Sequence, residues 1–212
     1  PNVGAIVITG AGRAFCAGAV LDDLLEAGSS DADGALPDIY RGFLRVAHTT
    51  LPTVAAVNGA AVGAGMNMVL ACDLVIAGRS AKFDSRFLTI GIHPGGGHTG
   101  RLRNITELQT TKAMVLFGQV LEGEEAARRG IAWECVDDDV LINEAVTYAA
   151  KAAGHPRDLM AVTKRTLHDA AAVTESAAAV RLEIEPQVWS MQQPAFTEMV
   201  AKLKAEIATK HS

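Results

Sequence analysis

Leu51 to Leu70 reads LPTVAAVNGAAVGAGMNMVL. Thr53 to Val57 is a short run of β-branched and small apolar residues stopped by the turn dipeptide Asn58-Gly59, which predicts a buried strand. Gly63-Ala64-Gly65 then opens a pattern in which Met66, Met68, Val69 and Leu70 fall at helical spacing. The segment is therefore strand, tight turn, helix, a building unit of α/β layers. A helix start at a sheet edge presents free N–H groups and a positive dipole end, which suits a developing oxyanion. The same glycines permit tight helix-on-strand packing through small residues, and taken alone the segment favours that packing reading.

Towards the N-terminus, Val3 to Thr9 (VGAIVIT) is another buried-strand pattern, stopped by Gly10-Ala11-Gly12. The stretch Thr9 to Val20, TGAGRAFCAGAV, could bring backbone N–H groups close to a ligand. It does not make a dinucleotide fingerprint. Gly10-x-Gly12 is followed at the third position by Phe15 rather than Gly or Ala, and Arg13 to Cys16 opens no convincing helix. NAD(H) binding is not expected. Val20 to Ala27 and Ile39 to His48 carry helical spacing, and the Gly/Ser/Asp-rich stretch Gly28 to Gly34 between them reads as a mobile surface loop.

Towards the C-terminus, Leu74 to Ala77 is predicted as a strand and Phe87 to Ile92 as a short apolar segment entering the loop His93 to Gly97. A helix is expected from about Thr99 to Phe117, a short one at Glu124 to Arg129 and a strand at Ile131 to Val136; from Leu141 the pattern is helical to the end. In DSRFLTIGIHPGGGHTGRL, Asp84 to Leu102, His93 and His98 are five apart with no carboxylate at ligand spacing, so they make a poor metal pair. Both read as surface loop histidines, with a catalytic alternative for His93, since loops at sheet edges often hold catalytic groups. Asp84 and Arg86 read as a solvated pair, Glu124-Glu125 as dipole-favoured residues of a helix's first turn, and Trp133 and Trp189 as core or interface anchors.

The chain of 212 residues can bury one good core, and no apolar stretch approaches the roughly 20 residues that a membrane span needs. Twenty-four acidic against 19 basic side chains offer no broad basic field for nucleic acid. Cys16, Cys72 and Cys135 are odd in number and widely spaced, which suggests neither a disulfide framework nor a zinc site and fits a reducing cytoplasm. The chain opens at Pro1 almost within a strand pattern, so further N-terminal sequence is expected.

Taken together and in order, VITGAGRAFCAGA, LPTVAAVNGAAVGAG, ACDLVIAG and GIHPGGGHTGRL resemble the signature blocks of the enoyl-CoA hydratase/isomerase (crotonase) superfamily. Four blocks in register are far more specific than either glycine cluster, and they favour the oxyanion reading of the second block over packing alone. The resemblance implies an α/β crotonase-like (ClpP/crotonase) spiral of ββα units over residues 1–140 and a helical C-terminal region, 141–212, that mediates assembly into a homotrimer or a hexamer of two trimers.

It also implies a site. The oxyanion N–H groups fall at Ala19 and Ala64, and the loop Ala17, Gly18, Ala19, Val20, Leu21, Asp22 is expected to contact CoA, with Lys202 or Lys204 reaching its phosphates. The implied ligand is an acyl-CoA thioester, with coenzyme A as part of the substrate and no separate cofactor, metal, nucleic acid or membrane. A family hydratase works with two glutamates, whose positions hold Asn67 and Phe87 here, and Val20 stands where many relatives carry Asp. Asparagine cannot take a proton from water at neutral pH, and phenylalanine can neither hold water nor ionise. Asp84 and His93 are the expected replacements for the lost base. The nominal activity is enoyl-CoA hydration or isomerisation in fatty-acid metabolism; the alternatives are a non-hydratase enzyme of the family and a non-catalytic acyl-CoA binding protein.

Overall fold

The computed structural model describes residues 3–29 and 35–210, with side chains described over 3–26 and 40–209. The chain divides into two compact units, Pro1–Ala152 and Ala153–Ser212.

In the first unit, strands are dealt alternately to two sheets. β1 (Ile6–Thr9), β3 (Thr53–Val57), β5 (Leu74–Gly78) and β8 (Glu134–Val136) form one parallel sheet in that order. β2 (Ala14–Cys16), β4 (Ala60–Val62) and β6 (Lys82–Asp84) form a second parallel ladder, with β7 (Leu121–Glu122) antiparallel at its edge. Each strand pair is followed by helix: α1 (Leu21–Ser29) and α2 (Ala35–Ala47) after β2, α3 (Ala64–Leu70) after β4, and a 3-10 turn, Phe87–Ile90, with α4 (His98–Ile105) and α5 (Leu108–Phe117) after β6; α6 (Gly123–Arg128) links β7 to β8. This is the ββα repeat that the resemblance implied.

The first sheet is buried on both faces, and the alternation of side chains along β3 sorts its residues between them. Val54 and Ala56, with Ile76 of β5, pack against Leu141, Ala145 and Ala149 of α7 (Leu141–Ala153). Ala55 and Val57, with Val75 and Ala77, face Phe15, Ala61, Met66 and Phe83, so that the second sheet and α3 close the main core. α7 therefore belongs to the first unit, and the division falls one helix later than the 140/141 boundary read from sequence. The second unit is helical, with α8 (Arg157–Ala170), α9 (Ser176–Met191) and α10 (Pro194–Lys210).

Several local readings change. The strands β2, β4, β6 and β7 have only two or three residues each, too few to show a period. The single helix expected over 99–117 is broken where Thr106 and Glu107 turn extended and the Thr106 hydroxyl donates to the Arg129 carbonyl. Ile131 to Ala132 packs in the core ahead of the strand, which begins at Glu134. Trp133 is exposed, its indole N–H donating to the Tyr148 hydroxyl at 2.9 Å, and is no core anchor. Gly28 and Ser29 close α1; the rest of the expected mobile loop, 30–34, lies outside the described residues.

Candidate active site

The three parallel strands β2, β4 and β6 deliver Ala17–Ala19, Gly63–Gly65 and Ser85 to one edge, the carboxyl ends where open α/β sheets place ligand crevices. Glycine makes the approach possible. Gly18 has φ +100°, and a Cβ there would stand 2.8 Å from the Val62 carbonyl oxygen and 3.8 Å from the Ala64 nitrogen. A Cβ on Gly65 would lie 2.1 Å from the Cys16 carbonyl oxygen. The two glycine clusters of the sequence, 45 residues apart, are thus in backbone contact. Among the described residues, neither the Ala19 nor the Ala64 N–H donates to a backbone carbonyl. Gly10-x-Gly12 runs into β2 rather than a helix, which removes the structural basis of a dinucleotide site.

The third strand adds side chains. The Gly63 N–H donates to the Asp84 carbonyl at 2.9 Å, which seats Ser85 beside the start of α3. Ser85, His98 and Asn67 are 2%, 1% and 1% exposed, so every polar atom among them needs a partner. Ser85 Oγ lies 2.8 Å from His98 Nε2, His98 Nδ1 lies 2.9 Å from Asn67 Oδ1, and Asn67 Nδ2 donates to the Gly95 carbonyl at 3.1 Å. The chemistry of the groups fixes the direction of the chain. A carbonyl only accepts, so the amide nitrogen faces Gly95 and its oxygen faces the imidazole, whose Nδ1 must then carry a proton. Burial, with the nearby Arg101 cation, lowers His98 from the usual 6.5 to about 4. The ring is therefore neutral near pH 7, Nε2 is unprotonated, and the Ser85 hydroxyl donates to it.

The surroundings hold this chain in place. The Phe87 ring lies 4.9 Å from the His98 ring, tilted by 58°. Arg101, lowered by its own burial, donates to the Gly96 carbonyl and lies 5.7 Å from the centroid of the Phe43 ring.

Comparison with known proteins decides the ancestry. The family model described as Enoyl-CoA hydratase/isomerase matches residues 1–203. The chain belongs to that family. It is 43% identical over 206 residues, covering 95% of this chain and 80% of the relative, to a protein of Mycobacterium tuberculosis named probable enoyl-CoA hydratase EchA14. It is 35% identical over 173 residues to the 1,2-epoxyphenylacetyl-CoA isomerase of Escherichia coli, covering 78% of this chain and 64% of that one. The crystal structure of enoyl-CoA hydratase from Bacillus anthracis superposes with a TM-score of 0.86 at 26% identity, covering 95% of this chain and 79% of that one. The fold is the crotonase fold.

The crotonase-family positions named from sequence fall out unevenly. Gly18 brings its neighbour Ala19 close to Ala64, and the loop around it exposes Ala17, Val20, Leu21 and Asp22. Asn67 and Phe87, where the resemblance led us to expect the family glutamates, both touch His98. His98 itself is the residue that the sequence reading missed: it is a buried hub, not a surface histidine. No local pattern signals it, because its partners Asn67 and Ser85 are 31 and 13 residues away along the chain. His93 is exposed, with Nδ1 2.8 Å from the Pro94 carbonyl. Asp84 is 6% exposed rather than solvated, and its Oδ2 takes hydrogen bonds from both Nε and a terminal nitrogen of Arg86, so its charge is matched. Lys202 and Lys204 are exposed on α10 of the second unit. Among the described residues there is no cluster of three or more metal-ligating side chains, and no helix is long and apolar enough to cross a membrane.

Proposed function

We propose that the chain is an acyl-CoA enzyme that holds the thioester carbonyl between the Ala19 and Ala64 N–H groups and stabilises the charge developing on its oxygen. The observation that carries this reading is the contact of Gly18 with Val62 and Ala64, which sets the two donor loops side by side. Each preorganised donor of this kind is worth about 3 to 4 kcal/mol in a site that excludes water. The loop Ala17 to Asp22 contacts CoA. CoA arrives as part of the substrate, and no further cofactor is used.

Ordinary hydration is the weaker form of the proposal. Hydration needs a group that can take a proton from water, and the amide of Asn67 is already committed to His98 and Gly95. The same commitment supports the other reading, an enzyme of different enolate chemistry or a carrier that binds acyl-CoA without turnover. The apolar side chains exposed along α9 and α10, among them Ile184, Met191, Phe196, Met199 and Leu203, support a homotrimer or a hexamer, testable by light scattering on the full-length protein. A cytoplasmic location fits such a substrate.

The test is the conjugated-thioester absorbance of a short- to long-chain enoyl-CoA panel, with mass spectrometry of the products and binding measured on the same samples. Loss of absorbance with a hydrated product would establish hydration despite Asn67 and Phe87. Binding without loss would favour the other enolate chemistry or the carrier. No binding of any acyl-CoA would refute the proposal.

A further inference from the structure

The buried chain Ser85–His98–Asn67 has the parts of a nucleophile, its base and the group that orients the base, and the proposed carbonyl site lies next to it. We propose that Ser85 is a nucleophile for acyl-CoA thioesters and that the protein is a thioester hydrolase, with His98 Nε2 as general base and Asn67 as the positioning residue that keeps the proton on Nδ1. The inference rests on the acyl-CoA reading of the crevice and adds a reaction to it.

Three observations carry it. The Ser85 hydroxyl and His98 Nε2 are 2.8 Å apart, within the range for proton transfer from a nucleophile to its base. The base is oriented from its far side by Asn67 at 2.9 Å, and Asn67 is in turn fixed by Gly95. Ser85 follows directly on β6, whose last residue accepts the Gly63 N–H one residue before Ala64, so nucleophile and proposed oxyanion donor leave neighbouring strand ends side by side. Nucleophile, base, orienting group and oxyanion donors are the set by which acyl-transfer sites are recognised on unrelated folds.

The steps balance without any external reagent but water. Ser85 Oγ attacks the thioester carbon as its proton passes to His98 Nε2, and the carbonyl electron pair moves onto the oxygen between the Ala19 and Ala64 N–H groups. Collapse breaks the C–S bond, and the proton on Nε2 goes to the leaving sulfur, releasing CoA thiol and an acyl ester on Ser85. Water then adds to the ester carbonyl while giving a proton to Nε2. The C–Oγ bond breaks, Oγ recovers that proton, and the carboxylic acid leaves.

A saturated thioester separates this reaction from hydration or isomerisation, because it has no carbon–carbon double bond to act on. The full chain is given hexanoyl-CoA; free thiol is read with a chromogenic thiol reagent and binding by calorimetry. Thiol release is expected, with Ser85→Ala and His98→Gln each slowing it by about a hundredfold or more while hexanoyl-CoA still binds. A fluorophosphonate probe is expected to label the wild-type protein on the peptide containing Ser85, a readout that does not depend on any variant folding. Asn67→Asp is expected to raise the pH of the acid limb of the hydrolysis profile, which a merely structural role would leave unmoved. Binding without thiol release, release unchanged in Ser85→Ala, or labelling elsewhere would overturn the hydrolase and leave the acyl-CoA reading standing. Absence of binding would overturn both.

Discussion

Acidification should destabilise this protein through His98, by an amount that the structure sets. Burial and the Arg101 cation hold the imidazole at about 4 in the folded chain, against the usual 6.5. The unfolded chain therefore binds more protons between those values, and stability is lost as pH falls through the window from about 6.5 to about 4. Relative to pH 8, the loss assigned to this one group is about 2 kcal/mol at pH 5 and about 3 kcal/mol at pH 4. Carboxylates also titrate in this range, so the comparison is with His98→Gln, which keeps a polar side chain but cannot titrate. Urea unfolding at a series of pH values from 8 to 5 gives the stability of each protein, and the difference between them isolates His98. The wild type is expected to start the more stable at pH 8, because His98→Gln disturbs both hydrogen bonds. Its advantage should shrink by about 2 kcal/mol by pH 5. An advantage that stays constant would refute the buried neutral imidazole, and with it the direction assigned to the Ser85–His98–Asn67 chain.

Asn67→Asp places a carboxylate against the His98 Nδ1–H, so the His98 titration followed by NMR should move up from about 4. The same change sets two acceptors face to face at Gly95 and should cost about 1 to 3 kcal/mol in unfolding free energy. Gly18→Ala forces a Cβ to 2.8 Å from the Val62 oxygen at a φ of +100°. It should destabilise the chain by about 1 to 3 kcal/mol in denaturant unfolding and weaken acyl-CoA turnover by up to a hundredfold, since the donor loops shift apart. His93→Ala should leave turnover within about twofold, because the ring is exposed; a larger loss in a steady-state assay would restore His93 as the base.

What could be read from sequence was whatever a short local pattern carries. The strand Thr53–Val57 followed by Gly63-Ala64-Gly65 was legible because β-branched spacing, a turn dipeptide and a helix start occur within one window. The partner ladder was not, because Ala14–Cys16, Ala60–Val62 and Lys82–Asp84 are held by their neighbours rather than by any period of their own. The site divides along the same line. Ala19 and Ala64 were named through the family resemblance, and the role proposed for them depends on chain path rather than on side-chain chemistry. The link between residues 67, 85 and 98 is made only by tertiary folding, and no spacing announces it.

This division bears on chemistry. A backbone N–H survives any change of side chain that leaves the chain path intact, so the two proposed donors come with the fold. Asn67 and Phe87, the positions expected to hold the family glutamates, both touch one imidazole, and the buried hydroxyl, imidazole and amide are hydrogen-bonded in a chain that ends on the Gly95 carbonyl. Such a network would be an expensive way to fill a core, because losing any member leaves its partners buried and unpaired. An apolar filler would avoid that cost. A buried His directed at a hydroxyl beside the proposed carbonyl site is better explained by a proton that has to move.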